Sequence, residues 1–354
     1  MPPPEALRSA RPTVVIDGET YPQVASGLRE LAVSDSDAGL AHCSLTLENW
    51  GPRNGTPDYL YFDRRVFDFG KQLEIRVGDA TLFRGRISAI EAAFDEGTPP
   101  GITVLAEDRL QSLRMARRTR VFEQMSDADV IRQIANDHGL QPQVNLSGDT
   151  HRVLAQVNET DLRFLRERAR RGGFEIWVDD RTLHAAERSS RRGSPLTLTI
   201  GASLRSFRVV ADLAHQVGTA RVGGWDVSAK DALTGEAAAS SLSSEGGGTR
   251  GADLISQALG ARTEVVSHVF PATQSEADAI ARAWLAARAR RFVVAHGVAE
   301  TTADLKVGAR IEIAEVGPLF SGAYDLVGVT HRFDNRIGLR SDIALERAWI
   351  GDAS

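Results

Sequence analysis

The sequence contains one cysteine, Cys43, among 354 residues. No intrachain disulfide is therefore available, and no thiolate cluster can hold a metal. Aromatic residues are sparse, with five Trp and four Tyr spread along the chain, and Trp177 and Trp284 fall at expected core positions. That argues against a stacked-ring platform for sugars or cell-surface receptors. No apolar run approaches the ~18 residues needed to cross a bilayer. The start, Met1-Pro2-Pro3-Pro4-Glu5, shows neither the basic nor the apolar region of a secretory signal. The expectation is a chain that folds in the cytoplasm and does not insert into membranes. Charge of one sign is not in excess either: 42 basic against 47 acidic residues leave a net charge of −5. Nucleic-acid binders normally carry a basic excess or stripe, so none is expected here. Three Arg-rich stretches, at 114–120, 163–171 and 188–192, read as solvated faces or protein contacts.

Catalytic patterns are missing as well. The eight histidines, His138, His151, His268 and His331 among them, show no zinc spacing such as His-Glu-x-x-His. Gly246-Gly247-Gly248 lacks the Lys-Ser/Thr of a phosphate-binding loop and reads as linker. No Gly-x-Ser-x-Gly elbow occurs, and Cys43 sits at an inward strand position where a thiol is inert. Glycoside hydrolysis needs two facing carboxylates. The pair Asp127/Asp129 reads instead as helix capping, and Asp179/Asp180 as a hairpin turn. The expectation is no catalytic, cofactor-binding or metal-ligating residue, no cofactor, and no enzyme activity.

What is present is β patterning with helices between. Residues Ala41, Cys43, Leu45 and Leu47 alternate with His42, Ser44, Thr46 and Glu48, the period of a strand with one buried face. Residues 71–77 repeat this with Leu73, Ile75 and Val77 inward. Gly78-Asp79 and residues 97–101 mark turns. Ser126 to Asp129 resembles a capping box, and the helix it opens buries Val130, Ile131 and Ile134 and ends at Gly139. A second helix over 161–171 is capped by Asn158 or Thr160 and stopped by Gly172-Gly173. Ser275 to Asp278 matches a further capping box, opening a helix whose stripe is Ala277, Ile280, Ala281, Trp284, Leu285 and Arg288.

The two β-rich ends resemble each other. Leu73-Glu74-Ile75 is echoed by Ile311-Glu312-Ile313, and Leu82-Phe83-Arg84-Gly85 by Leu319-Phe320-Ser321-Gly322. Phe94 is matched by Phe333, Gly101 by Gly338, and residues 105–109 by 344–347. These anchors keep an offset of about 238 residues. The Leu-Phe-x-Gly segments are expected at tight turns, where glycine permits a strained backbone. A duplicated β module is the reading.

The chain also resembles the phage late control D family, the baseplate hub proteins of contractile tails and contractile injection systems, related to the hub part of VgrG-type spikes. The resemblance rests on residues 83–87, on the helix at 126–140, and on Asn158-Glu159-Thr160-Asp161 with Phe164-Leu165. Gly173-Phe174-Glu175-Ile176-Trp177 and residues 328–333 add to it. It implies two tail-tube-like barrels per chain and a homotrimer acting as adaptor between a hexameric inner tube and a trimeric spike, with other baseplate components as further partners. Three duplicated chains present six similar modules, which suits such a symmetry mismatch. The product would belong to the tail or baseplate of a phage-like particle after assembly in the cytoplasm. Because the sequence stops at Ser354 soon after the second repeat, any needle is expected to be a separate protein. The alternatives are a tail-tip peptidoglycan-degrading enzyme and a truncated VgrG-type type VI secretion spike. The fold expected is α+β, mainly β. It comprises a first β-barrel at 1–118, a helix-containing α+β insertion at 119–210 and a second β-barrel at 211–354. The second barrel would carry a flexible loop at 235–251, expected to order only on assembly, and a helix at 275–291.

Overall fold

The computed structural model describes residues 11–37, 39–53, 55–193, 195–226, 229–242 and 247–352. The fold is α+β and mainly β. In the first module the strands are β1 (Thr13–Ile16), β2 (Leu28–Ser36), β3 (His42–Glu48), β4 (Gln72–Val77), β5 (Ala80–Ala93) and β6 (Gly101–Glu107). The alternation read from the sequence governs β3, where Cys43, Leu45 and Leu47 are fully buried. All six strands feed one apolar core, from Val14 and Ile16 on β1 to Leu31 and Val33 on β2. Strands at opposite ends of the sheet order thus share a core, as in a small barrel open at one seam. Arg11 stands at that seam, donating from Nη2 to the Leu28 carbonyl at 2.7 Å.

The insertion follows. Strand β7 (Arg117–Met125) leads to α1 (Asp127–Asp137), β8 (Gln141–Asn145), β9 (His151–Thr160), α2 (Asp161–Gly172), β10 (Phe174–Asp179) and β11 (Thr182–Glu187). Helix α1 has the expected capping box: the Ser126 hydroxyl accepts from the Asp129 N–H while the Asp129 carboxylate accepts from the Ser126 N–H. It ends at Gly139 with φ +65, and the Leu140 N–H turns back to the Ala135 carbonyl at 2.9 Å, the C-terminal motif glycine makes possible. Helix α2 is capped by Thr160 rather than Asn158, and Gly173 closes it in the left-handed region. The insertion has its own core, built from Val130, Ile131, Ile134, Phe164 and Leu165 with strand residues.

The second module begins earlier than the sequence reading placed it. Strand β12 (Leu196–Thr199) and all but the last residue of β13 (Leu204–Ala211) fall before residue 211, yet Leu198 and Leu204 belong to the second module's core. Then comes a fourth unit that the sequence reading did not separate. It contains β14 (Thr219–Asp226), β15 (Asp231–Ala238), α3 (Gly251–Ala258), β16 (Thr263–Val266) and α4 (Gln274–Arg290). Here β14 pairs antiparallel with β15 and parallel with β16, and α4 lays Ala277, Ile280, Ala281 and Leu285 on them. Trp284 is half-buried, its indole N–H donating to Glu264 at 2.8 Å. The cap of α4 lies two residues before the expected Ser275: the Thr273 hydroxyl accepts from the Glu276 N–H, because Thr273 to Glu276 also has capping-box spacing. The expected flexible loop at 235–251 instead includes the end of β15, a helical turn at Ala239–Ser241 and the first residue of α3. Residues 243–246, with Gly246 of the expected linker, lie outside the described residues. Strands β17 (Val293–Ala299), β18 (Arg310–Ala314), β19 (Gly322–Asp334) and β20 (Gly338–Arg347) complete the second module.

The two modules share one five-strand plan. The first runs β4-β5-β6-β3-β2 and the second β18-β19-β20-β17-β13, every neighbour antiparallel. The bulges recur at matching places. On the fourth strands one lies between Ile87 and Ala89 and its counterpart between Leu326 and Gly328. On the first strands one lies between Leu28 and Glu30 and its counterpart between Leu204 and Ser206. Bulges are features kept within a design rather than accidents, so the repeat is structural. Register corrects two sequence anchors. Gly85 pairs with Leu73 as Tyr324 pairs with Ile311, so Gly85 corresponds to Tyr324 and not to Gly322. Gly101 pairs with Ala93 as Arg340 pairs with Arg332, so Gly101 corresponds to Arg340 rather than Gly338. The segment 82–85 lies inside β5, not in a turn. Gly85 is required by packing: a Cβ there would lie 2.4 Å from both the Glu107 carbonyl oxygen and the Phe83 ring.

The modules are also fused. Strand β2 pairs antiparallel with β19 from Gly328↔Ser36 to Asp334↔Glu30, giving one 13-stranded sheet. Each module by itself would leave strand edges bare, and the chain covers one of them with its own second half. At this seam His331 is 4% exposed and hydrogen-bonded to Ser341 at 2.8 Å. Burial pushes its imidazole down to about 4. A depressed histidine stabilises the fold while neutral, so its contribution is whole above the ordinary value near 6.5 and is lost as pH falls toward 4. The loss is on the order of 2–3 kcal/mol. Urea denaturation at pH 7 and pH 5 is expected to show a smaller pH penalty for His331→Gln than for the parent. Asp108, which burial raises to about 6, acts in the opposite sense and is common to both proteins.

Candidate assembly surface

Several side chains that sequence reasoning could assign to chemistry are engaged in structure. Asp129 caps α1. Asp127 receives Arg168 through Nε at 2.6 Å and Nη2 at 3.0 Å, with His151 at 3.5 Å. Burial raises the Asp127 carboxyl, but the His151 and Arg168 hydrogen bonds and charges outweigh it and hold it below the usual range. Arg168 also reaches Glu276 at 3.5 Å, tying the insertion to α4. Asp180 sits at φ +49 in the β10–β11 turn, as a hairpin residue. Asp127 and Asp129 are thus engaged separately, and Asp179 and Asp180 are exposed neighbours at a hairpin turn. His138 bonds Asp161 at 2.8 Å, and His268 packs edge-on to Trp284. Trp177 is half-buried, stacked on His184 with the Arg191 guanidinium over its ring. Burial pushes the Cys43 thiol up. Among the described residues no group of three His, Cys, Asp or Glu has metal-holding geometry.

Several arginines of the Arg-rich stretches are protein contacts. Arg120, Arg168 and Arg188 are each ion-paired while at most 20% of the side chain is exposed. Arg188 reaches Glu346 at 2.9 Å and Glu175 at 3.4 Å, and thereby binds the insertion to the second module.

An exposed aromatic group lies on the first β module. The hairpin formed by Trp50–Arg53 and Thr56–Tyr59 carries an aromatic group with Phe62 and Phe94. Tyr59 stacks on Phe62 at 5.0 Å and meets Trp50 at 5.2 Å, and Phe94 closes on Phe62 at 5.8 Å. Even so, Trp50 is 43% and Phe94 63% exposed. Exposed aromatic patches of this kind mark association surfaces. Two strand edges carry no further partner strand among the described residues. Among the described residues the half of β5 beyond Ile87 pairs only with β6, and β13 pairs only with β17. Between the modules a trough of about 910 Å³ runs over the face of the sheet opposite the cores, lined by Ser34, His42, Arg208, His296, Thr330 and Asp342. The sequence reading missed this patch and these edges. The one available signal was the Phe94/Phe333 match, which shows equivalence but not that only Phe333 is covered.

Comparison with known proteins agrees with this architecture. The fold is shared with the 43 kDa tail protein of prophage MuSo2 from Shewanella oneidensis. The TM-score is 0.71 at 13% identity, covering 96% of this chain and 99% of that one. A tail protein from Neisseria meningitidis MC58 gives 0.68 at 12% identity over 96% and 97%. The E. coli c3393 protein, a component of the type VI secretion system, gives 0.60 at 11% over 96% and 79%. No curated protein matches the chain in sequence. Over residues 8–335 the sequence fits the model of one described family, and this chain belongs to that family, the Alg8 N-terminal domain.

Proposed function

We propose that this chain is a structural hub subunit of a phage-like contractile tail or contractile injection system, of the late control D type, and not an enzyme. The observation that carries the reading is the duplicated five-strand module, with matched register and bulges, fused into one sheet. Three such chains present six near-equivalent modules to a hexameric tube and a true three-fold face to a spike. The shared fold with phage tail proteins supports this, as does the engagement of Asp127 by Arg168 and of Asp129 in a helix cap. In this reading the chain assembles in the cytoplasm, contacts the inner tube, the spike and other baseplate components, and works by holding geometry rather than by turnover.

The mass of the protein in solution, measured by analytical ultracentrifugation alone and with its spike partner, tests the proposal. A trimer is the expected result, and a protein that stays monomeric in both would sink the hub reading. Clearing of a peptidoglycan zymogram would favour the tail-tip hydrolase instead. A covalently continuous needle following this sequence would favour a VgrG-type spike.

A further inference from the structure

We infer that copies of this chain join through their two bare strand edges, with β13 of one copy pairing antiparallel to residues 89–95 of the next, in the register that β2 and β19 use inside the chain. The inference deepens the hub reading and rests on it only in requiring that copies associate.

The two modules are equivalent strand for strand. Strand β2 is the first strand of its module and β13 the first of the other. Strand β19 is the fourth strand of its module and β5 the fourth of the other. The β2·β19 junction is therefore first strand to fourth strand. Among the described residues the same junction is left unmade once per chain, at the outer edges of β13 and of the distal half of β5. The matched bulges fix which residues correspond. Gly328 corresponds to Ala89 and Asp334 to Asp95. Leu31 corresponds to Phe207 and Ser34 to Val210. Transferring the internal pairs Thr330↔Ser34 and Phe333↔Leu31 places Glu91 opposite Val210 and Phe94 opposite Phe207 of the neighbouring copy.

The side chains at these positions fit. Phe333 is 8% exposed because it enters the first module's core beside Leu31, whereas its counterpart Phe94 is 63% exposed. Phe207 already packs against the second core, so a neighbour's Phe94 would complete that core as Phe333 completes the first. Val210, 55% exposed, would be covered in the same step. Charge agrees too: in this register Arg208 lies opposite Ala93 and diagonal to both Glu91 and Asp95, within reach of long side chains. Bare edges of this length are aggregation hazards unless paired, and a junction joining two different surfaces of the chain closes into a ring when its rotation permits.

Disulfide trapping tests the register. In a Cys43→Ala background, Glu91→Cys with Val210→Cys places two thiols directly across the junction, where strand neighbours bring Cβ atoms to about 4.5–5.5 Å. Mild oxidation of the assembled protein is expected to give a reducible ladder of linked chains ending at the ring. Glu91→Cys with Ser206→Cys, displaced by four residues along the same face, is expected to give little linkage. Phe94→Arg should weaken association at least tenfold by sedimentation while leaving the denaturation midpoint of the monomer unchanged. Oligomers that form without in-register linkage, or that link equally in the displaced pair, overturn this junction and leave the hub reading standing. A chain monomeric with its partners overturns both.

Discussion

Replacing Asp161 with alanine is expected to lower the stability of the insertion by about 3–5 kcal/mol, the usual cost of breaking a buried ion pair from one side. Asp161 is 1% exposed. It accepts from Arg120 Nη2 at 2.7 Å, Gln156 Nε2 at 2.8 Å and His138 Nε2 at 2.8 Å, with Arg118 at 3.4 Å. Those groups come from β7, β9 and the C-terminal end of α1, so one carboxylate at the start of α2 pins three other elements. Its removal leaves Arg120 and His138 without their shared anion in a site from which water is largely excluded, which makes the loss exceed that of a surface pair. Burial raises the Asp161 carboxyl, but His138, Gln156 and the two arginines outweigh it and hold it below its ordinary value. The stability it contributes is therefore present above about pH 4 and fades as pH falls through the lowered value. Chemical denaturation of Asp161→Ala at pH 7, with amide exchange read on α2, checks the magnitude. Asp161→Asn, which keeps an acceptor oxygen, should lose less. An alanine variant within about 1 kcal/mol of the parent would show that the network is not holding the insertion.

That network explains part of what was legible in the sequence. Asp161 closes the Asn-Glu-Thr-Asp run that carries the family resemblance, and the run works locally: Thr160 caps α2 and Asp161 receives the arginines. Caps, strand alternation and the α4 stripe were readable because each depends on residues three or four apart, or on alternate positions. The duplication was readable through Ile75/Ile313, Phe94/Phe333 and Glu107/Glu346, while Gly85 and Gly101 misled because glycine recurs for reasons unrelated to register. The fusion of the modules was not readable. Pairing of β2 with β19 joins residues some three hundred positions apart, and neither strand's pattern names its neighbour. Nor was the fate of Phe94 and Phe333 distinguishable, since identical residues at equivalent positions differ only in what lies across the edge. The Arg-rich stretches read as solvated faces or protein contacts, and composition cannot choose between these because it does not show that Glu346 and Glu175 converge on Arg188.

The unit around α4 was hidden by the composition of residues 235–251, whose glycine, serine and alanine suggested mobility, and Gly235 shows why that inference failed. It lies within β15, and a Cβ built on it would stand 2.2 Å from the Ala277 carbonyl oxygen and 2.3 Å from its carbon. Both atoms are backbone of α4, so no side-chain rotation can relieve the contact. Glycine here serves close approach of a helix to a strand rather than flexibility. Gly235→Val is accordingly expected to displace α4 from β14 and β15. It should destabilise this unit by about 3 kcal/mol or more, at or beyond the upper end of ordinary overpacking. On the paired strand β14, a Cβ added to Gly223 would meet nothing within 4 Å. Gly223→Val should therefore be neutral or slightly stabilising, because valine suits an extended backbone and removes unfolded-state freedom. The two variants add the same side chain to neighbouring strands of one small sheet, so propensity acts alike in both and only the helix contact differs. Trp284, half-buried on α4 and bonded to Glu264, gives a fluorescence signal for the displacement. A red shift and an earlier denaturation midpoint are expected for Gly235→Val alone. If the two variants shifted equally, the close approach of α4 would not be what requires glycine at 235, and the span would have to be read again as a loop.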